Sequence, residues 1–224
     1  MSQSAAVHPF DADEAARQTR SRVRSAQLLA AAARLMAREG SGAVSMQALA
    51  EEAGVSVGLI YRYFGGKDEL LLAVICNVLD AFAVAVPDAI EAAGPDPVRQ
   101  LAAAFRAYCT VIDTHRHAAV LTYRESKRLS EESREKLKKL EVETSEPLRA
   151  TIRAGIDADI FTDVDADLLS YNLLLLAHGW ALKHWYLERT MGLDDYVAKQ
   201  IALFLNSIIE PRRKRIYRSL LTPA

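Results

Sequence analysis

With only two cysteines, Cys76 and Cys109, in 224 residues, the chain has no disulfide framework to build on. Both thiols read as core filler, and nothing near either marks a redox sensor. Strand signals are missing too: no alternating run is bounded by Asn-Gly or Asp-Gly, and no glycine-rich turn leads from a strand to a helix. The five histidines lack metal spacing. His115 and His117 lie two apart, and His178 and His184 six apart, so neither pair makes the i, i+4 arrangement of a helical metal site. No metal, cofactor or catalytic constellation is expected, and hence no enzyme. The longest apolar run noted, 168–176, is broken by Ser170, Tyr171 and Asn172, so no membrane span is expected. Residues 1–13 are polar and acidic, unlike a secretory signal, which points to a cytoplasmic protein.

What the sequence does have is helix. Half the residues are hydrophobic and a quarter charged, a globular balance, and apolar residues recur at helical spacing almost throughout. After a flexible tail over 1–16, helices are predicted near 17–38, 45–53, 56–64 and 67–94. Beyond Gly94-Pro95-Asp96-Pro97 they continue near 97–113, 116–128, 131–155, 165–190 and 194–218. The fold class is all-α, with one domain over 17–82 and a second over 83–224. Alternating acids and bases over 131–146 describe a solvated helix.

Charge divides the chain more sharply than its net value of −1 implies. Residues 17–67 hold eight basic and three acidic residues, a balance of +5 that leaves −6 elsewhere. A basic segment on an otherwise acidic protein fits one part that meets a polyanion and another that does not. Arg20, Arg22 and Arg24 form an alternating basic arm that would reach a DNA backbone or minor groove. Arg212, Arg213, Lys214, Arg215 and Arg218 make a basic C-terminal end, read as solvated rather than as a second DNA site.

Within the basic segment, 45–64 reads SMQALAEEAGVSVGLIYRYF. Ser45 and Ser56 sit where helix N-caps belong, and Gly54 supplies the left-handed turn between two short helices, a helix-turn-helix. Ile60 and Phe64, four apart, share a buried face. Val57, Gly58, Leu59 and Arg62 then face outward, toward a major groove. Arg62 is the side chain there able to pair with guanine in two-pronged fashion. Ser45, Tyr61, Tyr63 and Lys67 ring that face as phosphate donors, and Gln47 and Ser56 in the first turns of the two helices complete the set.

From Ala26 through Leu70 the sequence resembles the DNA-binding domain of the TetR family of bacterial transcriptional regulators. The resemblance is carried by Ser45, Leu49-Ala50, Ala53-Gly54-Val55-Ser56, Gly58, Ile60-Tyr61, Tyr63-Phe64, Lys67 and Leu70. It implies a homodimeric, ligand-responsive repressor on double-stranded operator DNA, with an N-terminal three-helix DNA-binding domain and a C-terminal helical ligand-binding and dimerisation domain. By that resemblance Ser45, Tyr61, Tyr63 and Lys67 hold phosphates, and positions 57, 58, 59 and 62 read bases. The last two long helices would make a four-helix dimer interface, with Leu169, Leu173, Leu176, Trp180, Ile201, Leu205 and Ile208 as the expected contacts.

In the second domain Tyr108, Tyr123, Arg124, Asn172, His178 and Lys183 interrupt apolar faces and are the expected effector-binding residues, with Trp180 and Trp185 beside them. The stretch YRESKRL at 123–129 is similar to the TetR regulators that answer to acyl-CoA thioesters; the effector is such a thioester or another hydrophobic compound. Two other functions compete. Gly54-Val55-Ser56-Val57-Gly58 matches G-x-S-x-G, the turn of a hydrolase nucleophile. A helical interaction module that keeps the motif without binding DNA is the third reading.

Overall fold

Local capping chemistry sets the first helices. The computed structural model describes residues 9–222, with the side chains of 9–18 and of Arg22 outside the description. Helix α1 spans Pro9–Glu39, α2 Met46–Ala53, α3 Val57–Phe64 and α4 Lys67–Ala92. The Ser45 hydroxyl accepts the Ala48 amide at 3.1 Å and the Ser56 hydroxyl the Leu59 amide at 3.3 Å, so each short helix starts on a satisfied cap. Gly54 ends α2 with φ +63° and ψ +40°, and the next amide, Val55, turns back to the Ala50 carbonyl at 2.9 Å.

Helix α1 starts eight residues before the expected Arg17. Pro9 suits a first helical position. Residues 1–8 of the expected tail lie outside the described residues. The basic residues are therefore carried on helix rather than on an extended arm. At 3.6 residues per turn Arg20 and Arg24 share a face.

The chain divides into two compact units between Val74 and Ile75, inside α4 rather than at 82. In the first unit α1 packs on α2 and α2 on α3. Its core holds Leu28, Ala32, Leu35 and Met36 of α1, with Leu49 and Ile60. Ala26 of the same helix is exposed.

The second unit is built round α5 (Pro97–Thr114), which packs against α7 (Glu131–Asp157), α8 (Ala166–Leu182) and α10 (Leu193–Ile208). Helix α6 (Arg116–Glu125) and a 3-10 turn at Ser126–Arg128 lead into α7. Asp96 caps α5, accepting from the Val98 and Arg99 amides, with Pro97 in the first turn. Phe105 meets Phe204 edge to face, ring centres 5.3 Å apart. Arg149, almost buried, pairs with Glu146 and with Asp167 at 2.6 Å, tying α7 to the start of α8.

Two expected helices are shorter than their periodicity. The one over 165–190 stops at Leu182 and resumes as the four-residue α9 (His184–Leu187). The one over 194–218 stops at Ile208, followed by a 3-10 turn at Lys214–Tyr217 and α11 (Arg218–Leu221). Pro211 accounts for the second: it forces the preceding residue toward extended backbone. There Glu210 donates to the Ile160 carbonyl at 3.0 Å and Ile208 accepts from Thr162 at 2.7 Å. Phe161 and Ile209 form a single antiparallel bridge, and no longer strand occurs among the described residues.

Helix α4 corrects another expectation. By length and composition it is apolar enough to cross a membrane, which the broken run at 168–176 is not. Asn77 and Asp80 interrupt it, and Val74, Ile75, Val78, Phe82 and Val86 are buried by the rest of the protein. It is used as a core helix.

Candidate nucleic-acid interface and effector cavity

Helix α3 buries one residue deeply and exposes three of the others. Ile60 is the anchor; Gly58, Tyr61 and Arg62 are exposed, and Val57, Leu59, Tyr63 and Phe64 are half-buried. The outward face thus has one cation, one phenol and a glycine that lets backbone come close. Tyr63 Oη lies 3.3 Å from Ser21 Oγ, which joins α3 to the segment of α1 carrying Arg20 and Arg24. Lys67, the first residue of α4, donates from Nζ to the Gly42 carbonyl at 2.9 Å, pinning the turn before α2 while two ammonium protons stay available.

Two other cations of this unit serve α1–α2 packing. Arg34 and Arg38 each lie 3.7 Å from the Glu52 carboxylate, and Arg38 also bonds Glu39. Arg20, Arg24 and Arg62 have no such acidic neighbour among the described residues, and all three are exposed. Among the described side chains of this unit, these three and Lys67 are therefore the cations left to attract a polyanion. Ser45 and Ser56 spend a lone pair on their helix caps, which leaves the hydroxyl proton of each to donate; Gln47 is exposed in the first turn of α2. The side chain of Arg22 is outside the described residues.

The second unit holds a cavity of about 170 Å³, open to one side where Tyr123, Tyr171 and Leu175 are exposed. Helix α4 lines it with Ile75, Val78, Leu79 and Phe82, α5 with Tyr108 and Ile112, and α6 with Thr122 and Tyr123. Glu141 and Thr144 of α7 face Tyr171, Leu175 and His178 of α8. Tyr108 is fully buried, and its hydroxyl donates to the Thr144 carbonyl at 2.5 Å. Burial raises the Tyr108 pKa. Tyr123 Oη sits 2.7 Å from His178 Nδ1, and desolvation pushes the imidazole pKa down to about 4, so the ring stays neutral near pH 7. Partial burial also raises the Glu141 pKa.

Of the expected effector residues the structure brings Tyr108, Tyr123 and His178 together on this wall. Arg124, Asn172 and Lys183 do not join them and are exposed. The reason is helical phase: Arg124 follows Tyr123 and Asn172 follows Tyr171, each turned some 100° away. Lys183 sits at the C-cap of α8, where the helix breaks. Trp180 is core, its indole donating to Asp113 at 2.7 Å, and Trp185 is exposed. Glu141, Thr144 and Phe82 went unpredicted, because Glu141 reads as one more charge on a solvated helix and Phe82 as one more apolar residue.

Comparison with known proteins bears on both sites. Residues 28–74 match the model of bacterial regulatory proteins of the tetR family, and 94–208 match the tetracyclin repressor-like C-terminal domain. The chain belongs to the TetR family. It is 36% identical over 188 residues to the HTH-type transcriptional regulator HbdR of Aromatoleum sp. strain CIB, a span covering 84% of this chain and 82% of HbdR. The crystal structure of the TetR family regulator PfmR from Thermus thermophilus matches with a TM-score of 0.71 at 27% identity, covering 80% of this chain and 97% of PfmR. The structure of AibR in complex with isovaleryl coenzyme A and operator DNA shares the fold, with a TM-score of 0.68 at 18% identity over 80% of this chain and 97% of AibR.

As a TetR-family member the chain is a DNA-binding transcriptional regulator and not an enzyme. The G-x-S-x-G match is resolved by geometry as well: Ser56 caps a helix that follows another helix, whereas a nucleophile elbow needs a strand before it.

Proposed function

We propose that this TetR-family chain is a cytoplasmic homodimeric repressor that leaves operator DNA when a small apolar effector enters the cavity of its second unit. The observation that carries the reading is the exposed face of α3, where Gly58, Tyr61 and Arg62 stand outward over a buried Ile60. Two such faces, related by a twofold axis and about 34 Å apart, meet successive major grooves. Arg62 would contact a base. Ser45, Tyr61, Tyr63 and Lys67 would hold phosphates, with Gln47, Ser56, Arg20 and Arg24 around them.

The cavity supports an effector of modest size. An engineered cavity of about 150 Å³ holds benzene, so 170 Å³ accommodates a ring or a short acyl chain. For an acyl-CoA thioester, the class seen bound to AibR, only the acyl end would enter, leaving Lys127 and Arg128 to meet phosphates. Helix α4 carries Lys67 at one end and the cavity residues Ile75, Val78, Leu79 and Phe82 further along. An effector that shifts α4 therefore biases the DNA-binding ends, and a coupling of about 1–3 kcal/mol changes affinity 5- to 150-fold.

For the second copy the expected contacts need correction. Leu173, Trp180, Ile201, Leu205 and Ile208 are buried within one chain and Leu169 and Leu176 do not stand fully outward, so they make no open face. The apolar residues that α8 and α10 leave exposed are Leu168, Tyr171, Leu175 and Leu203. We assign the dimer face to these.

A gel mobility shift on the DNA flanking the protein's own gene tests the reading. Lys67→Ala is expected to weaken the shift on every sequence, and Arg62→Ala to relax preference at one base position. Isovaleryl coenzyme A and benzyl alcohol, added separately, test release. Unchanged shifts for both variants would leave the helical interaction module as the better account.

A further inference from the structure

The cavity wall carries an acid and no strong base. Among the described residues that line it there is no lysine or arginine, Glu141 is the one carboxylate, and His178 is neutral. We propose that this cavity recognises an uncharged, ring-sized group bearing one hydrogen-bonding oxygen, and that it rejects carboxylate anions. The inference rests on the effector reading above and narrows it to a chemical class.

Size sets the first limit. The space suits one six-membered ring or a branched acyl group, and Ile75, Val78, Leu79 and Ile112 give it apolar walls. Hydrogen bonding sets the second. The Tyr108 hydroxyl spends its proton on the Thr144 carbonyl. The Tyr123–His178 pair is not exhausted by its mutual bond: in either tautomer of the ring, one N–H or O–H proton and free lone pairs are left over. Together they offer an acceptor and a donor, which match a hydroxyl or a carbonyl.

Charge sets the third limit. A carboxylate entering here would lose its hydration and meet no cation, with Glu141 facing it across the wall. An ammonium would lose its hydration as well, with a single carboxylate in return. An ester or thioester of the same acid carries no charge and escapes the penalty. A repressor with this wall distinguishes an activated acid from the free acid that hydrolysis would release.

The test compares benzyl alcohol, benzoate and benzylammonium, matched in size, by calorimetry at pH 7.5 on the full chain without DNA. Benzyl alcohol is expected to bind, and benzoate to bind at least about 100-fold more weakly. Glu141→Gln should narrow that gap. Tyr123→Phe should weaken benzyl alcohol about 3- to 10-fold while leaving toluene unchanged, a readout that separates a lost hydrogen bond from lost packing. Benzoate or benzylammonium binding as tightly as the alcohol would overturn the proposal and leave the effector reading in place. Release of operator by isovaleryl coenzyme A with no benzyl alcohol binding would do the same. If neither ligand binds and nothing releases the operator, both readings fail.

Discussion

A methyl group added at Gly54 would touch nothing within 4 Å, so the cost of Gly54→Ala lies in the backbone alone. At φ +63° an L residue loses about 1–2 kcal/mol, measurable by chemical denaturation. Gly155 is the reverse. Its backbone is ordinary, but a methyl group there would overlap the Phe161 ring. Gly155→Ala should cost about 1–3 kcal/mol through overpacking. Adding Phe161→Leu should recover much of that loss and none of the loss at Gly54; strict additivity at 155 and 161 would contradict the packing account. His178 makes a pH prediction. Its pKa falls from 6.5 unfolded to about 4 folded, so the unfolded chain binds the extra proton between those values. Stability is full above pH 6.5 and is lost as pH drops toward 4, by up to about 3 kcal/mol. His115, also lowered by burial, acts in the same direction, and Glu141, whose pKa is raised, in the opposite one. Denaturant midpoints at pH 7 and pH 5 for the wild type and His178→Gln isolate the His178 share: the variant should lose less on acidification.

Helix α10 shows how adjacent positions divide their work. Leu205 is 0% exposed and Leu203 is 69% exposed, two residues apart on opposite sides of one helix. Leu203→Glu should give a folded monomer that binds operator poorly, seen as a later elution on a sizing column with unchanged helical circular dichroism. Leu205→Glu should instead cost more than about 3 kcal/mol and lose the fold, since it buries an unpaired charge. A dimer that survives Leu203→Glu would move the interface elsewhere. The same pair explains what the sequence could and could not reveal. Apolar residues at helical spacing say that a helix has an apolar side; they do not say whether its own chain or a second copy covers it. The helix-turn-helix was legible because Ser45, Gly54 and Ser56 act within three or four residues of where they stand. The cavity was legible only in part. Tyr123 and Arg124 are both polar interruptions of one helix, and only packing against α8 separates the one that meets His178 from its neighbour. The break at Lys183 carried no mark, because neither proline nor glycine stands at that position.

At the scale of the whole molecule, net charge predicts little: at −1 the chain should ignore a polyanion. The division does predict binding, because +5 is concentrated over 17–67 and part of it is neutralised internally. Arg34 and Arg38 are held near Glu52 and Glu39. Surface pairs of this kind add little stability, but they remove two cations from the set facing DNA. Arg20, Arg24, Arg62 and Lys67 are what remains among the described side chains of this segment. Affinity for DNA should therefore fall linearly with the logarithm of salt concentration, with a slope set by those residues in both copies of a dimer. Lys67→Ala should flatten the slope by about 1 per copy, or about 2 for the dimer. Arg34→Ala should leave it unchanged although it removes the same charge, and so should Lys183→Ala in the second unit. A slope that tracks net charge regardless of position would mean that the protein meets DNA by general attraction, and that the face built on α3 is not what binds.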